Sequence, residues 1–342
     1  MRTDQAEWLD ASWAEQSGGP ILEVRDLSVC YHTKRGDVLA VDDVSFDLAR
    51  GEFLGIVGES GCGKSTLLFG IAQLLSPPAA ITGGSVRFEG TNLVDLNDHQ
   101  LASIRWKKLS LVMQSAMNAL NPVKTISAQF TDAMRAHGVT SRQEIADRSA
   151  EVLRMVGIDP QHLRSYPHQL SGGMRQRSMI AMALLFTPDL VIMDEPTSAL
   201  DVVAQRSLMI QIKELQQRLG FAVIFVTHDM SLVSHFSDRL MVMYAGQVAE
   251  LGATRLVFDS PRHPYSSGLL DAFPSIRGPK VDLTGIPGSP PDLARPPSGC
   301  RFAPRCPVVV DACQEQPVEL RHVGDVLVRC IRPEGNGVVR GD

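Results

Sequence analysis

The chain has 342 residues, 44% hydrophobic and 21% charged, with a formal net charge of −5; that length allows one large or two modest domains with a sizeable core, and the charge does not advertise the basic face that nucleic-acid binding needs. No apolar run nears the roughly 18 residues of a membrane-spanning helix. The opening MRTDQAEWLD has early acids and no apolar centre, unlike a secretory signal, so a cytosolic protein that meets membranes through partners is expected.

Residues 1–19 are polar and aperiodic and read as a flexible tail. From Ile21 to Asp47 the stretches ILEVRDLSVCY and VLAVDDVSFDL alternate as an antiparallel β layer should. GEFLGIVG then gives a buried strand ending in a glycine-rich loop, and TLLFGIAQLL follows at helical spacing; strand, loop and helix in that order open a nucleotide-binding α/β domain. Residues about 94–175 look mostly helical, with an amphipathic repeat in EIADRSAEVLRMVGI, and are predicted to form an inserted subdomain. LVIMDE and FAVIFVTHD restore short apolar strands. Beyond Ser260 the composition shifts, and PSIRGPKVDLTGIPGSPPDLARPPSGC reads as an extended connector. The expected organisation is therefore an α/β nucleotide-binding domain over 20–260 and an extension over 261–342.

GESGCGKST, Gly58 to Thr66, fits the phosphate-loop pattern G-x-x-x-x-G-K-[ST]. Gly58, Ser60, Gly61, Cys62, Gly63, Lys64, Ser65 and Thr66 are the candidate cradle: glycines let the backbone curl so that N–H groups and the next helix's positive end face phosphate oxygens. Lys64 supplies a mobile cation and Ser65 a hydroxyl for Mg²⁺. A chance Gly-rich turn is the bland alternative, and the strand before and helix after argue against it. In LVIMDE, Asp194 is the candidate Mg²⁺ carboxylate and Glu195 the general base that polarises water, since phosphoryl transfer needs mainly positioning and charge neutralisation. An Asp-Glu pair alone would more simply cap a helix. Cys62, beside Lys64, sits where a thiol gains reactivity, though a small loop filler is the better-supported reading.

LSGGMRQR, Leu170 to Arg177, separates this chain from kinases and GTPases: it resembles the LSGGQ-like signature of the ABC ATPase family, with Met174 where Gln is commonest. The resemblance runs over about residues 21–270. It implies a parallel α/β core with an antiparallel β layer and an inserted helical subdomain, and two chains closing head to tail on two ATPs. It further implies that Ser171, Gly172 and Gly173 bind the γ-phosphate held by the opposite subunit, that Tyr31 stacks on adenine, and that Gln114 touches Mg²⁺ and water and links to the membrane subunits. Asp201 in SALD would run along the dimer seam, and His228 in VTHD would contact the γ-phosphate.

Four of the six cysteines fall near the end, Cys300, Cys306, Cys313 and Cys330, spaced C-x5-C-x6-C-x16-C. In a reducing compartment that clustering points to metal rather than disulfides. Four thiolates suit a [4Fe–4S] cluster or a tetrahedral zinc; the absence of C-x2-C knuckles favours the cluster, with buried free thiols as the third reading. SPRHPYSSGLLDAFP, LNP at Leu120 to Pro122 and YPHQLSGGM resemble the oligopeptide and dipeptide importer branch, some members of which carry an iron–sulfur cluster in this tail. That branch implies an ATPase on the cytoplasmic face of the cell membrane. Its implied partners are a second, similar ATPase subunit in a heterodimer, two transmembrane permease subunits and an extracellular solute-binding protein, with no nucleic acid. Peptides are the leading substrate; nickel, glutathione or oligosaccharides are the alternatives within the branch, and a soluble ABC ATPase acting on nucleic acid or ribosomes is the alternative outside it.

Overall fold

The computed structural model describes residues 19–34, 36–114, 119–198, 200–272 and 285–333; the expected tail lies outside them except for Gly19. Two sheets carry the fold. The smaller is antiparallel in the order β2-β1-β4-β5, built from Leu22–Thr33 (β1), Gly36–Leu48 (β2), Ala79–Phe88 (β4) and Thr91–Asn92 (β5). Val24 faces Phe46 on one side and Val86 on the other, and all three are buried. The alternation read from 21–47 is therefore a half-buried layer.

The larger sheet has the order β11-β12-β10-β9-β3-β8-β7-β6. Its heart is parallel: Phe53–Val57 (β3), Leu109–Val112 (β6), Leu190–Asp194 (β7), Ala222–Val226 (β8) and Arg239–Tyr244 (β9). FLGIV, LVIMD and AVIFV are buried at every position, because helices and the second sheet cover both faces, and such strands read as unbroken apolar runs. Gln247–Ala253 (β10), Arg321–Val323 (β11) and Val326–Val328 (β12) continue it antiparallel.

Helix α1, Lys64–Ile71, follows β3, and α2, Asp98–Ile104, starts from a capping box on Asn97 and Gln100. The helical block comprises α3, Ile126–Ala136, and α4, Arg142–Met155, capped by Thr125 and Ser141. α4 buries Ile145, Ser149, Val152 and Leu153, one face of a helix. Here the expectation of a mostly helical stretch from residue 94 needs correction, because β6 lies inside it, paired with β7 from Leu109–Leu190 to Val112–Met193. LSLV is too short for its periodicity to distinguish strand from helix. Helices α5, Gly172–Ala183, α6, Val202–Leu219, and α7, Met230–Phe236, return the chain to the core. They are followed by α8, Thr254–Asp259, α9, Pro264–Asp271, and the short α10, Ala312–Glu315.

The stretch expected as an extension from residue 261 joins the larger sheet and its core. β12 pairs with β10 at Glu250–Val328 and Leu251–Leu327, and Phe302, Val326 and Val328 belong to the same core cluster as Phe53 and Val57.

Candidate functional site

Four loops converge at the carboxyl ends of adjacent parallel strands: Gly58 follows β3, Gln114 lies just beyond β6, Glu195 follows β7 and His228 lies just beyond β8. That edge of an open α/β sheet is where ligands bind. Between β3 and α1 the backbone is left-handed at Gly58 (φ 151°), Gly61 (φ 76°) and Gly63 (φ 102°). A Cβ on Gly58 would stand 2.2 Å from the Met243 carbonyl oxygen, and one on Gly63 would stand 2.1 Å from that of Ala40. Both positions thus require glycine on conformation and on space. Gly63 caps α1 without any side-chain hydrogen bond, which leaves N–H groups at the helix start to face an anion. The buried Lys64 folds back over the loop, its Nζ donating to the carbonyls of Gly58 at 2.8 Å and Glu59 at 3.0 Å. Burial raises the pKa of the Cys62 thiol despite Lys64 nearby, and a Cβ on Gly58 would stand 2.8 Å from its sulfur, which supports the loop-filler reading.

Asp194 ends β7 and is buried, which raises its carboxyl pKa; the Ser65 hydroxyl is the largest influence in the other direction. Its Oδ1 has no hydrogen-bond partner. A serine hydroxyl beside an orphaned carboxylate oxygen is the hard-oxygen donor set that suits Mg²⁺. Glu195 adopts φ 47°, a left-handed conformation that is strained for a non-glycine residue and tends to persist at functional sites. Its N–H donates to Val226 O at 2.9 Å. Its carboxylate is held at both ends: Gln114 Nε2 donates to Oε2, and His228 Nε2 lies against Oε1. Glu195 is buried whereas His228 is half exposed, so the carboxylate has a fixed direction and an open side.

Gln114, Glu195 and His228 line one open cleft of ≈ 500 Å³, which also takes in Tyr31, Ser60, Gly61, Gly63, Lys64, Ser65 and Thr66, whereas Gly58, Cys62 and Asp194 do not line it. Tyr31 lies across from Val38 and Ala79 in the antiparallel layer, and its hydroxyl is 3.1 Å from Thr66 Oγ1. Ser171, Gly172, Gly173 and Asp201 are not among the lining residues. Ser171 caps α5, its Oγ accepting from Met174 N at 3.2 Å. Asp201 caps α6, its Oδ1 accepting from Ala204 N at 2.9 Å. Val202 and Val203 beside it are exposed. Sequence reasoning missed Leu293, which lines the cleft from the proline-rich connector; nothing in that segment's composition marks one leucine.

The four late cysteines also converge. Cys300, Cys306, Cys313 and Cys330 line a single small, largely apolar cavity with His263 and Phe302. Burial raises the pKa of three of the thiols, and backbone N–H groups oppose that rise: Phe302 and Ala303 N–H face Cys300, Val308 faces Cys306 and Arg332 faces Cys330. The last is a hydrogen bond of 3.3 Å. N–H groups aimed at sulfur favour thiolate and suit metal ligation. His263 caps α9, its Nδ1 accepting from Tyr265 N at 3.0 Å, with Pro264 as the first helical residue. The hydroxyl of the fully buried Tyr265 accepts from Glu59 N, in the phosphate loop, at 2.9 Å.

A phosphate loop, a two-carboxylate strand end and a sheet that presents both at its carboxyl edge define a nucleoside-triphosphate hydrolase. Comparison with known proteins narrows the class. Residues 41–198 match the ABC transporter family model, and residues 249–313 match the oligopeptide/dipeptide transporter C-terminal region. The chain is 42% identical over 322 residues to the oligopeptide transport ATP-binding protein OppD of Escherichia coli, covering 94% of this chain and 95% of that one. It is 45% identical over 296 residues to the dipeptide transport ATP-binding protein DppD of Bacillus subtilis, covering 86% and 88%. The dimeric structure of MJ0796, a bacterial ABC transporter cassette, superposes with a TM-score of 0.62 at 31% identity, over 68% of this chain and 99% of that one. The chain belongs to the ABC transporter ATP-binding family, in its oligopeptide/dipeptide branch, and is an ATPase.

Proposed function

We propose that this chain powers the import of di- and oligopeptides by hydrolysing ATP on the cytoplasmic face of the membrane. It would work with a second, similar ATPase subunit, two transmembrane permeases and an extracellular solute-binding protein. The observation that carries the branch is the match over 249–313 together with its place in the fold: the His263-Pro264-Tyr265 segment ends on the phosphate loop. A nucleic-acid or ribosomal role has no comparable support. Among the described residues no helix is long and apolar enough to cross a membrane.

In the mechanism, the triphosphate of the substrate seats on the N–H groups from Ser60 to Thr66, and Lys64 leaves the Gly58 and Glu59 carbonyls to meet it. Ser65, Asp194 and Gln114 would hold Mg²⁺, which neutralises charge on the phosphate oxygens. Tyr31 offers its ring to adenine. Glu195, fixed between Gln114 and His228, accepts the proton of the attacking water, and His228 contacts the γ-phosphate. Ser171, Gly172, Gly173 and Asp201, which do not line this cleft, would serve the cleft of a second subunit, with the exposed Val202 and Val203 covered at the seam.

Cys300, Cys306, Cys313 and Cys330 would hold a [4Fe–4S] cluster. Their convergence on one small, largely apolar cavity, with no tight C-x2-C pair in their spacing, supports the cluster over zinc. Anaerobic purification with the membrane partners tests both readings on one sample. Stimulation of ATP turnover by a peptide-loaded binding protein, with about four irons per chain, is expected. Stimulation by nickel, glutathione or oligosaccharide alone would move the substrate, and one zinc per chain would replace the cluster.

A further inference from the structure

Three of the four cysteines have a buried arginine as chain neighbour: Arg301 after Cys300, Arg305 before Cys306 and Arg329 before Cys330. Each fastens the extension to the nucleotide-binding core. Arg301 donates to the Ala245 carbonyl and to Asp42. Arg329 donates to the carbonyls of Val248 at 3.2 Å and Val318 at 3.1 Å, and to Asp43. Arg305 goes to the phosphate loop itself: its two terminal nitrogens fork the Glu59 carboxylate at 2.7 and 2.9 Å.

We infer that Arg305 is a positioning residue of the ATP site, holding and neutralising a carboxylate built into the phosphate loop. The inference takes the ATPase reading as given. Glu59 follows the first glycine of the loop, and its own carbonyl accepts from Lys64 Nζ. An unpaired charge there would oppose the field that Lys64 and the start of α1 direct at a triphosphate. The planar guanidinium cancels that charge and fixes the carboxylate's plane through two parallel bonds, which an ammonium cannot do. The fork is itself fixed: Nε donates to the Pro287 carbonyl at 2.8 Å and the guanidinium packs over the Tyr244 ring. The Glu59 backbone is held from the same side by Tyr265. Both the backbone and the side chain of one phosphate-loop residue are thus anchored by the extension.

The test is ATP binding by calorimetry, with KM and kcat, on four full-length variants: Arg305→Ala, Arg305→Lys, the double Arg305→Ala/Glu59→Gln, and Arg329→Gln. Arg305→Ala should raise Kd and KM for ATP roughly tenfold and leave kcat within about twofold. Removing the stranded charge in the double variant should bring Kd back to within about threefold of the parent. Arg305→Lys, which keeps charge without the fork, should fall between. Arg329→Gln loosens the same extension away from the loop and should leave KM unchanged. A double variant as weak as Arg305→Ala, or equal KM changes in Arg305→Ala and Arg329→Gln, would reduce Arg305 to a fold-stabilising residue. If Arg305→Ala does not fold, Arg305→Lys and the double variant still decide. A parent protein that binds no ATP would instead overturn the ATPase reading.

Discussion

The phosphate cleft and the cysteine cavity are both built from loops that converge, but they are held in place differently. In the cleft the phosphate loop, Glu195 and His228 follow the ends of fully buried parallel strands, and the sheet sets their positions. The cysteines lie in a segment with little regular structure, where Cys300 N to Cys313 O at 2.7 Å and the N–H groups facing sulfur give local order. Long arginine side chains fasten that segment to the core. A site on strand ends is rigid before its ligand arrives, whereas a site on tethered loops depends on its tethers and on whatever the thiols hold.

The largest effect should come from the group that the sheet holds most tightly. Glu195→Gln keeps the shape and the contact to His228 but removes the proton acceptor, so hydrolysis should fall at least about 100-fold while ATP binding persists. A turnover assay beside a binding isotherm checks this, and retained turnover would overturn the assignment of the base. The next effect lies in the glycine loop. Gly63→Ala places a Cβ 2.1 Å from the Ala40 carbonyl at φ 102°, which should cost on the order of 3 kcal/mol of stability and greatly weaken ATP binding. Denaturant unfolding with normal stability would mean that the loop relaxes and the strain argument is wrong.

The same contrast explains what could be read in advance. The cleft was legible because its chemistry is local: glycines, Lys64 and Ser65 are contiguous, and Asp194 and Glu195 end one apolar run. Gln114 and His228 became readable only through the family resemblance, since a lone glutamine or histidine after a strand carries no signal of its own. β6 was lost inside a stretch read as helical because four residues carry too little periodicity. The cysteines were legible by type and spacing, but their tethers were not. Arg305 meets Glu59 across 246 residues, and nothing in sequence distinguishes a buried forked arginine from an exposed one.

His263 gives the smallest effect and the sharpest test of how the extension is held. It is buried without charge, and burial pushes its imidazole pKa down to about 4. Unfolding exposes it and returns the pKa to about 6.5, so between these values the unfolded chain binds more protons than the folded one. Stability must therefore fall as pH drops from about 6.5 towards 4, by roughly 2 kcal/mol at pH 5 from this residue alone. Glu250, whose carboxyl pKa burial raises, acts in the opposite sense, losing stability as pH rises, but it is common to parent and variant. His263→Asn keeps a side-chain oxygen that can cap α9 and removes the titration. The stability difference between parent and variant should then slope with pH across 4–6.5 and be flat above 7. Parallel unfolding curves across that range would show that His263 takes up its proton within the folded protein, and that the cavity wall it forms with the four cysteines opens to water.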